Sequence, residues 1–314
     1  MAEVLTIGEP MGLFVADEAV ALKDAEHFTR YVCGAEVNFS IGLSRLGHKV
    51  SYISRVGKDP IGEHIKDFLE SSGIETPYVV TDPANLTGMQ FKEKVTDGHD
   101  PFVQNYRRHT AFSYFDPKDL DKVDWNGIKH VHVTGIPAAL SESCCAAAER
   151  LMKDARAHGA QVSFDPNLRP ALWPSKEKMV ETLNRLADNA DLVLPGLGEG
   201  ETLIGTTNPS EIADFYIKKG AKYVVVKLGG SNGAYGKTKD GEEFNVPSFK
   251  VEKVVDTVGA GDGFAVGTVT ALLEGKTLKE AARRGAAIGA LAIMVAGDNE
   301  GLPDRDKLEK FMAQ

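Results

Sequence analysis

The stretch DTVGAGDGF at residues 256–264 sets two carboxylates, Asp256 and Asp262, around Gly259, Ala260, Gly261 and Gly263, and AVGTVTALLEG follows, small and apolar at helical spacing. Glycine is a poor helix former, so a helix that starts here has a reason other than propensity. With no side chains over its first amides, its mouth lets an oxyanion sit directly against the N–H groups. Aligned peptide dipoles add favourable potential for negative charge. A carboxylate beside such a cradle is electrostatically unfavourable unless it reacts. Asp262 therefore reads as a general base that takes a hydroxyl proton, while the N–H groups of Gly259, Ala260 and Gly261 steady a phosphoryl group. An isolated Asp here would read as an ordinary first-turn acid; the three flanking glycines and Asp256 favour the catalytic reading.

The surrounding elements fit that chemistry. EVLTIG opens as a short β-run, AEVNFSIGLSRLG reads as a helix closed by Gly47, KVSYISRVG as a strand, and DPIGEHIKDFLESSG as a helix with an Asp-Pro start. Strands and helices alternate again from KHVHVTG to AKYVVVKLGG, which implies βαβ units around a parallel sheet. Ligands of such sheets bind beyond the carboxyl ends of the strands, where helix N-termini converge. Residues 9–33 and 76–114 lack helical periodicity, and TGMQFKEKVTDGHDPFVQNYRR reads as a hairpin with its turn at TDGHDP. The expected organisation is one α/β domain (1–8, 34–75 and 115–314) carrying an inserted β lid (9–33 and 76–114). One face and the edges of a small sheet need cover, so a homodimer through the two lids is expected.

Composition bounds the partners. Lys plus Arg number 36 against 45 Asp plus Glu, a net charge of −9, which argues against nucleic-acid or anionic-membrane binding. No apolar run reaches the roughly 20 residues that span a bilayer, and MAEVLTIGEP has no basic leader before an apolar stretch. The three cysteines, Cys33, Cys144 and Cys145, form neither a disulfide framework nor a metal spacing. A reducing cytoplasm is the expected location.

Two competing motifs fail on context. GGSNG at 229–233 satisfies G-x-S-x-G, but a hairpin-like segment follows it, and all eight histidines lie at or before His158, so none follows Ser231. SNGAYGKT at 231–238 lacks the first glycine of a P-loop and the helix after its lysine. Phe264 occupies the last glycine position of a dinucleotide fingerprint.

DTVGAGDGF resembles the C-terminal signature of ribokinase-like (PfkB-type) carbohydrate kinases. GAEVNFSIGLSRLG at 34–47 is similar to that family's N-terminal signature, and VSYISRVGKDPIGE and VVVKLGGSNGAY to segments between the two. Within the family, GEPMGLF, DPNLRPALW and LPGLGEGETLIG are similar to the 2-keto-3-deoxygluconate kinase branch. The resemblance implies a three-layer α/β/α domain with a mostly parallel sheet and a small β-sheet lid. It also implies ATP-dependent transfer of the γ-phosphate to the terminal hydroxyl of a keto-deoxy sugar acid. The alternative is a fructokinase- or ribokinase-like enzyme for a neutral sugar, but Gly12 stands where those enzymes tend to place a sugar-gripping Asp.

The same resemblance assigns residues. Gly34 and Asn38 are expected at sugar hydroxyls, and Arg107 and Arg169 at the acid, where a planar fork suits a carboxylate. Gln90 and Asn105 occupy places where related kinases often present tyrosines, implying a more polar pocket. Lys227, Gly229, Gly230, Gly233 and Gly261 are expected near the nucleotide. Adenine is expected along AARRGAAIGALAIMVAG, whose small residues equally suit helix packing. Mg²⁺ keeps much of its water shell. The Asn-x-x-Glu motif that orients this shell in the family becomes GLGE here, with Gly196 in place of Asn and Glu199 kept. Glu199 reads as a metal partner or as a helix cap, and Asp165 as a second metal partner or a structural acid. Asp256 and Thr257 match the start of a monovalent-cation site, so K⁺ is a candidate.

Overall fold

The computed structural model describes residues 1–95, 101–255, 257–295 and 297–313. The chain opens with β1 (Val4–Ile7), leaves for β2 (Met11–Ala16) and β3 (Phe28–Cys33), and returns in α1 (Ala35–Arg45). Next come β4 (Val50–Gly57), α2 (Pro60–Ser71) and β5 (Glu75–Asp82), then a second excursion through β6 (Met89–Lys92) and β7 (Val103–Tyr106). The middle of the chain runs β8 (His130–Thr134), α3 (Ile136–Leu140), α4 (Glu142–Ala157), β9 (Gln161–Asp165) and α5 (Lys176–Ala187). It continues with β10 (Leu192–Val193), α6 (Leu197–Ile204), α7 (Pro209–Lys218), β11 (Tyr223–Lys227), β12 (Ala234–Thr238) and β13 (Glu243–Val246). Three helices close it: α8 (Ala260–Leu273), α9 (Leu278–Ala292) and α10 (Arg305–Met312).

The large sheet has the order β13-β12-β11-β10-β9-β8-β1-β4-β5. From β11 to β5 every neighbour is parallel, and β12 and β13 add an antiparallel hairpin. Alternate side chains feed two apolar cores on opposite faces: Val4, Val50 and Tyr52 point into one, Leu5, Ile7 and Ile53 into the other. That is a three-layer α/β/α arrangement. Helix starts follow their local chemistry; the Asp59 carboxylate accepts from the N–H groups of Ile61 and Gly62, with Pro60 at the first helical position. Among the described residues no helix is long and apolar enough to cross a membrane.

The small sheet has the order β3-β2-β6-β7, antiparallel except for the β2–β6 pair. The expected hairpin forms with Gln90 opposite Asn105; most of its turn, residues 96–100, lies outside the described residues. The expected lid boundaries need correction at both ends of the second insertion. β5 lies in the large sheet, parallel to β4, because α2 supplies a complete crossover before it. Phe112 and Phe115 are buried in the main core, so the chain has left the lid by then. The sequence hid β5 because no helix follows it.

The small residues of α9 serve packing. A β-carbon on Gly267 of α8 would lie 2.6 Å from the backbone of Arg284, and one on Gly285 would lie 2.8 Å from the Phe264 carbonyl oxygen. The two helices are held closer than any larger residue would permit.

Candidate active site

At the carboxyl edge of the large sheet, the ends of β1, β9 and β11 meet the N-termini of α1 and α8 from one face and of α6 from the other. Gly259 caps α8 with φ +77°, and a β-carbon there would lie 2.5 Å from the Asp298 carbonyl oxygen. Only glycine fits. No side chain caps α8, so Ala260 and Gly261 present their amides uncovered by a capping group. Asp262 sits in this first turn, half-buried, its Oδ2 accepting from Asn38 Nδ2 at 2.8 Å. Burial pushes its carboxyl up to about 6; the Asn38 hydrogen bond and the charges of Arg169 and Lys227 oppose the rise, and Asp165 adds to it. A base with its proton affinity near neutrality suits abstraction of a hydroxyl proton.

Lys227 borders the same mouth. Its Nζ donates to Asp165 Oδ2 at 2.6 Å, and a β-carbon on Gly261 would lie 3.7 Å from that Nζ. Burial works against its charge, but the carboxylates of Asp165 and Glu199 hold its pKa above the ordinary lysine value. Asp165, expected as a metal partner, is therefore first an ion-pair partner. Glu199 Oε2 accepts from the Gly196 N–H at 2.7 Å, the capping reading. Burial also raises its pKa, opposed by Lys227. Among the described residues no group of three or more His, Cys, Asp and Glu side chains could hold a metal. Two carboxylates beside a lysine fit the water shell of a phosphate-bound Mg²⁺ rather than an all-protein cage.

The remaining nucleotide candidates divide. Gly229 and Gly230 are exposed with open space where β-carbons would stand. Gly233 is required by packing, since a β-carbon would overlap the Val246 carbonyl; direct service to a ligand is not what fixes it. Thr257 is exposed, and Asp256 lies outside the described residues.

On the lid side, Gln90 Nε2 donates to Cys33 Sγ at 3.1 Å, with Asn105 exposed opposite it. Asn38, expected at a sugar hydroxyl, is 2% exposed and turns its amide to Asp262. Arg107, expected at the acid, is buried against Glu9, its Nη2 2.7 Å from Oε2. Arg169 is exposed, in a left-handed conformation at φ +46° just past β9, and its charge reaches Asp262. At Gly12 a β-carbon would lie 2.8 Å from Ile61 Cγ2, so a side chain there would require Ile61 to move.

Two acids of the site escaped the sequence reading. Glu36, in the first turn of α1, is 1% exposed and accepts from Thr134 Oγ1 at 2.5 Å. Burial pushes its carboxyl up to about 7, with the Asp262 charge contributing. Glu9 follows β1 and is 2% exposed. The available signal for Glu36 was its isolation as the one charge in AEVNFSIGLS; a run otherwise fit for burial has to bury it too.

The family model for pfkB carbohydrate kinases matches residues 1–305. The chain belongs to the PfkB family of carbohydrate kinases. It is 43% identical over 312 residues to a 2-dehydro-3-deoxygluconokinase of Bacillus subtilis (strain 168), covering 99% of this chain and 95% of that protein. A PfkB protein from Polaromonas sp. JS666 superposes with a TM-score of 0.89 at 44% identity, covering 98% of this chain and 99% of the other. An E. coli protein described as a ribokinase II, solved with ATP and Mg²⁺, superposes at 0.88 with 26% identity, covering 100% and 99%. The architecture of this kinase is thus the ribokinase-like α/β fold expected from its motifs.

Proposed function

We propose that this kinase transfers the γ-phosphate of ATP to the terminal hydroxyl of 2-keto-3-deoxygluconate, with Asp262 as the base. The observation that carries the reading is the Asp262 carboxylate, held by Asn38 inside an uncapped helix mouth and within the field of Arg169. The identity to the Bacillus subtilis 2-dehydro-3-deoxygluconokinase supports the substrate. The hydroxyl proton passes to an Asp262 oxygen as the new O–P bond forms, and the α8 amides with Lys227 stabilise the phosphoryl charge. Asp165 and Glu199 would hold the water shell of Mg²⁺, which when bound would neutralise charge on the ATP phosphates. Arg169 and Arg107 pair with the sugar acid, Gly34, Gln90 and Asn105 line its pocket, and Gly229 and Gly230 let the nucleotide pass. Thr257, with Asp256, is the candidate for a monovalent-cation site that would take K⁺. The enzyme acts in the cytoplasm, as a homodimer through its lids.

The neutral-sugar alternative loses ground at Gly12, where an Asp is missing and a β-carbon would lie 2.8 Å from Ile61 Cγ2, so that Ile61 would have to move to admit one. The deciding experiment is a panel of sugar acids and neutral sugars with Mg-ATP, read by ADP release. Turnover of 2-keto-3-deoxygluconate well above that of fructose or ribose is expected; equal or faster turnover of a neutral sugar would overturn the substrate reading.

A further inference from the structure

The GEPMGLF segment contains an acid that the proposed chemistry leaves unused. Glu9 Oε2 accepts from both Nε (2.8 Å) and Nη2 (2.7 Å) of Arg107, and Oε1 accepts from Thr110 Oγ1 at 2.5 Å. A β-carbon on Gly88 would lie 2.7 Å from Oε1, and one on Gly34 would lie 2.9 Å from the Glu9 carbonyl oxygen. These contacts coincide with the four places where the chain passes between the two sheets. Glu9 leads from β1 toward β2, Gly34 joins β3 to α1, Gly88 precedes β6, and Arg107 and Thr110 follow β7. Glu9 is thus itself one crossing: its carboxylate meets two others, at Gly88 and at Arg107 and Thr110, and its backbone packs against the last, at Gly34.

The pair is almost wholly buried, with Glu9 2% exposed and Arg107 keeping 9% of its surface open. A dry ion pair persists only when its geometry and extra hydrogen bonds offset desolvation, and here both carboxylate oxygens are engaged. Two of the three guanidinium nitrogens are fixed, so planarity fixes the direction of the third. The charge of Arg107 acts on Cys33, under Gln90, and on Glu36, in the turn that carries Asn38. The Arg107 charge is thus felt both at the lid floor and in the first turn of α1.

We propose that Glu9 is a positioning residue: it aims the Arg107 guanidinium at the acceptor's carboxylate and so sets the preference for acidic over neutral acceptors. The inference rests on the sugar-acid reading above.

The test measures Glu9→Gln, Arg107→Ala, their double variant and Thr110→Val on 2-keto-3-deoxygluconate and on the best neutral sugar of the panel. Glu9→Gln is expected to lower kcat/KM for the acid about 10- to 100-fold, mainly through KM, as loss of a charge-assisted pair does. The KM for ATP and turnover of the neutral sugar should stay within about twofold, since no contact to either is removed. The double variant should be no worse than Arg107→Ala, and Thr110→Val should move selectivity the same way by a smaller factor. Equal losses on both acceptors, or losses that multiply in the double variant, would show Glu9 to be purely structural. If Glu9→Gln fails to fold, an unchanged selectivity ratio in Thr110→Val overturns the proposal. A wild-type enzyme without preference for the acid defeats the substrate reading. The cycle, run on its best acceptor, then decides separately whether Glu9 acts through Arg107.

Discussion

Strand β9 presents Ser163 and Asp165 on the same face, two residues apart, and the sheet treats them oppositely. Ser163 Oγ lies between His130 Nε2 (2.7 Å) and His132 Nδ1 (2.8 Å), with the Phe39 ring stacked 4.0 Å from His132. Burial pushes His130 down to about 4 and His132 well below its usual range, so this cluster is neutral. The serine hydroxyl donates to one ring and accepts from the other. Two residues further, Asp165 faces the Lys227 ammonium at 2.6 Å. Mid-sheet there is no helix terminus and no solvent to offset a charge. At the carboxyl edge a countercharge, helix mouths and an opening to solvent are all available. The fold thus concentrates ionisation where phosphoryl chemistry needs it and suppresses it one turn of the pleat below.

Several substitutions would sharpen or break that contrast. Asp262→Asn should reduce kcat by about 10²–10⁴-fold in steady-state assays. Because burial opposes the native carboxylate, the same variant should melt no lower than wild type at pH 8; a large loss of stability would mark Asp262 as structural. Lys227→Met should lower kcat/KM for ATP about 10- to 100-fold, the scale of a lost charge-assisted contact. Unchanged ATP kinetics would confine Lys227 to its pair with Asp165. The rate should fall below about pH 6 as Asp262 gains a proton. Arg169→Ala should move that limb upward, since Arg169 holds the Asp262 pKa down; an unmoved limb would separate the two residues.

The smallest effect belongs to the neutral cluster. A histidine whose folded pKa is depressed contributes stability above its unfolded value, near 6.5, and that contribution is lost as pH falls toward 4. The slope is at most about 1.4 kcal/mol per pH unit for each titrating histidine. Glu36, raised to about 7, tilts the other way over the same range, so the comparison of variants is the cleaner measurement. His130→Gln keeps a polar partner for Ser163 but cannot titrate. Its melting temperature should fall less than that of wild type between pH 7 and pH 5, and equal falls would mean that His130 is charged in the fold.

What was legible followed locality. The α8 mouth could be read because its signals lie within nine residues: a capping glycine, small residues at the first amides, and an acid among them. The hairpin β6–β7 and the cap at Asp59 are likewise local. The misreadings are non-local. β5 was assigned to the lid because no helix follows it to mark it as part of the alternation, and the burial of Arg107 went unseen because its partner Glu9 stands 98 residues away. Glu36 passed unnoticed because burial on every side of α1 leaves no periodic pattern to break.

The residues alone determined the repeating strand–helix alternation, the anion-binding helix start and the acid within it, since backbone sterics and capping act between near neighbours. Only the tertiary structure decided which polar groups meet: Lys227 with Asp165, Arg107 with Glu9, Asn38 with Asp262. Partner choice inside a fold depends on strand order and on which groups are jointly removed from water. Neither is written in any single stretch of the chain.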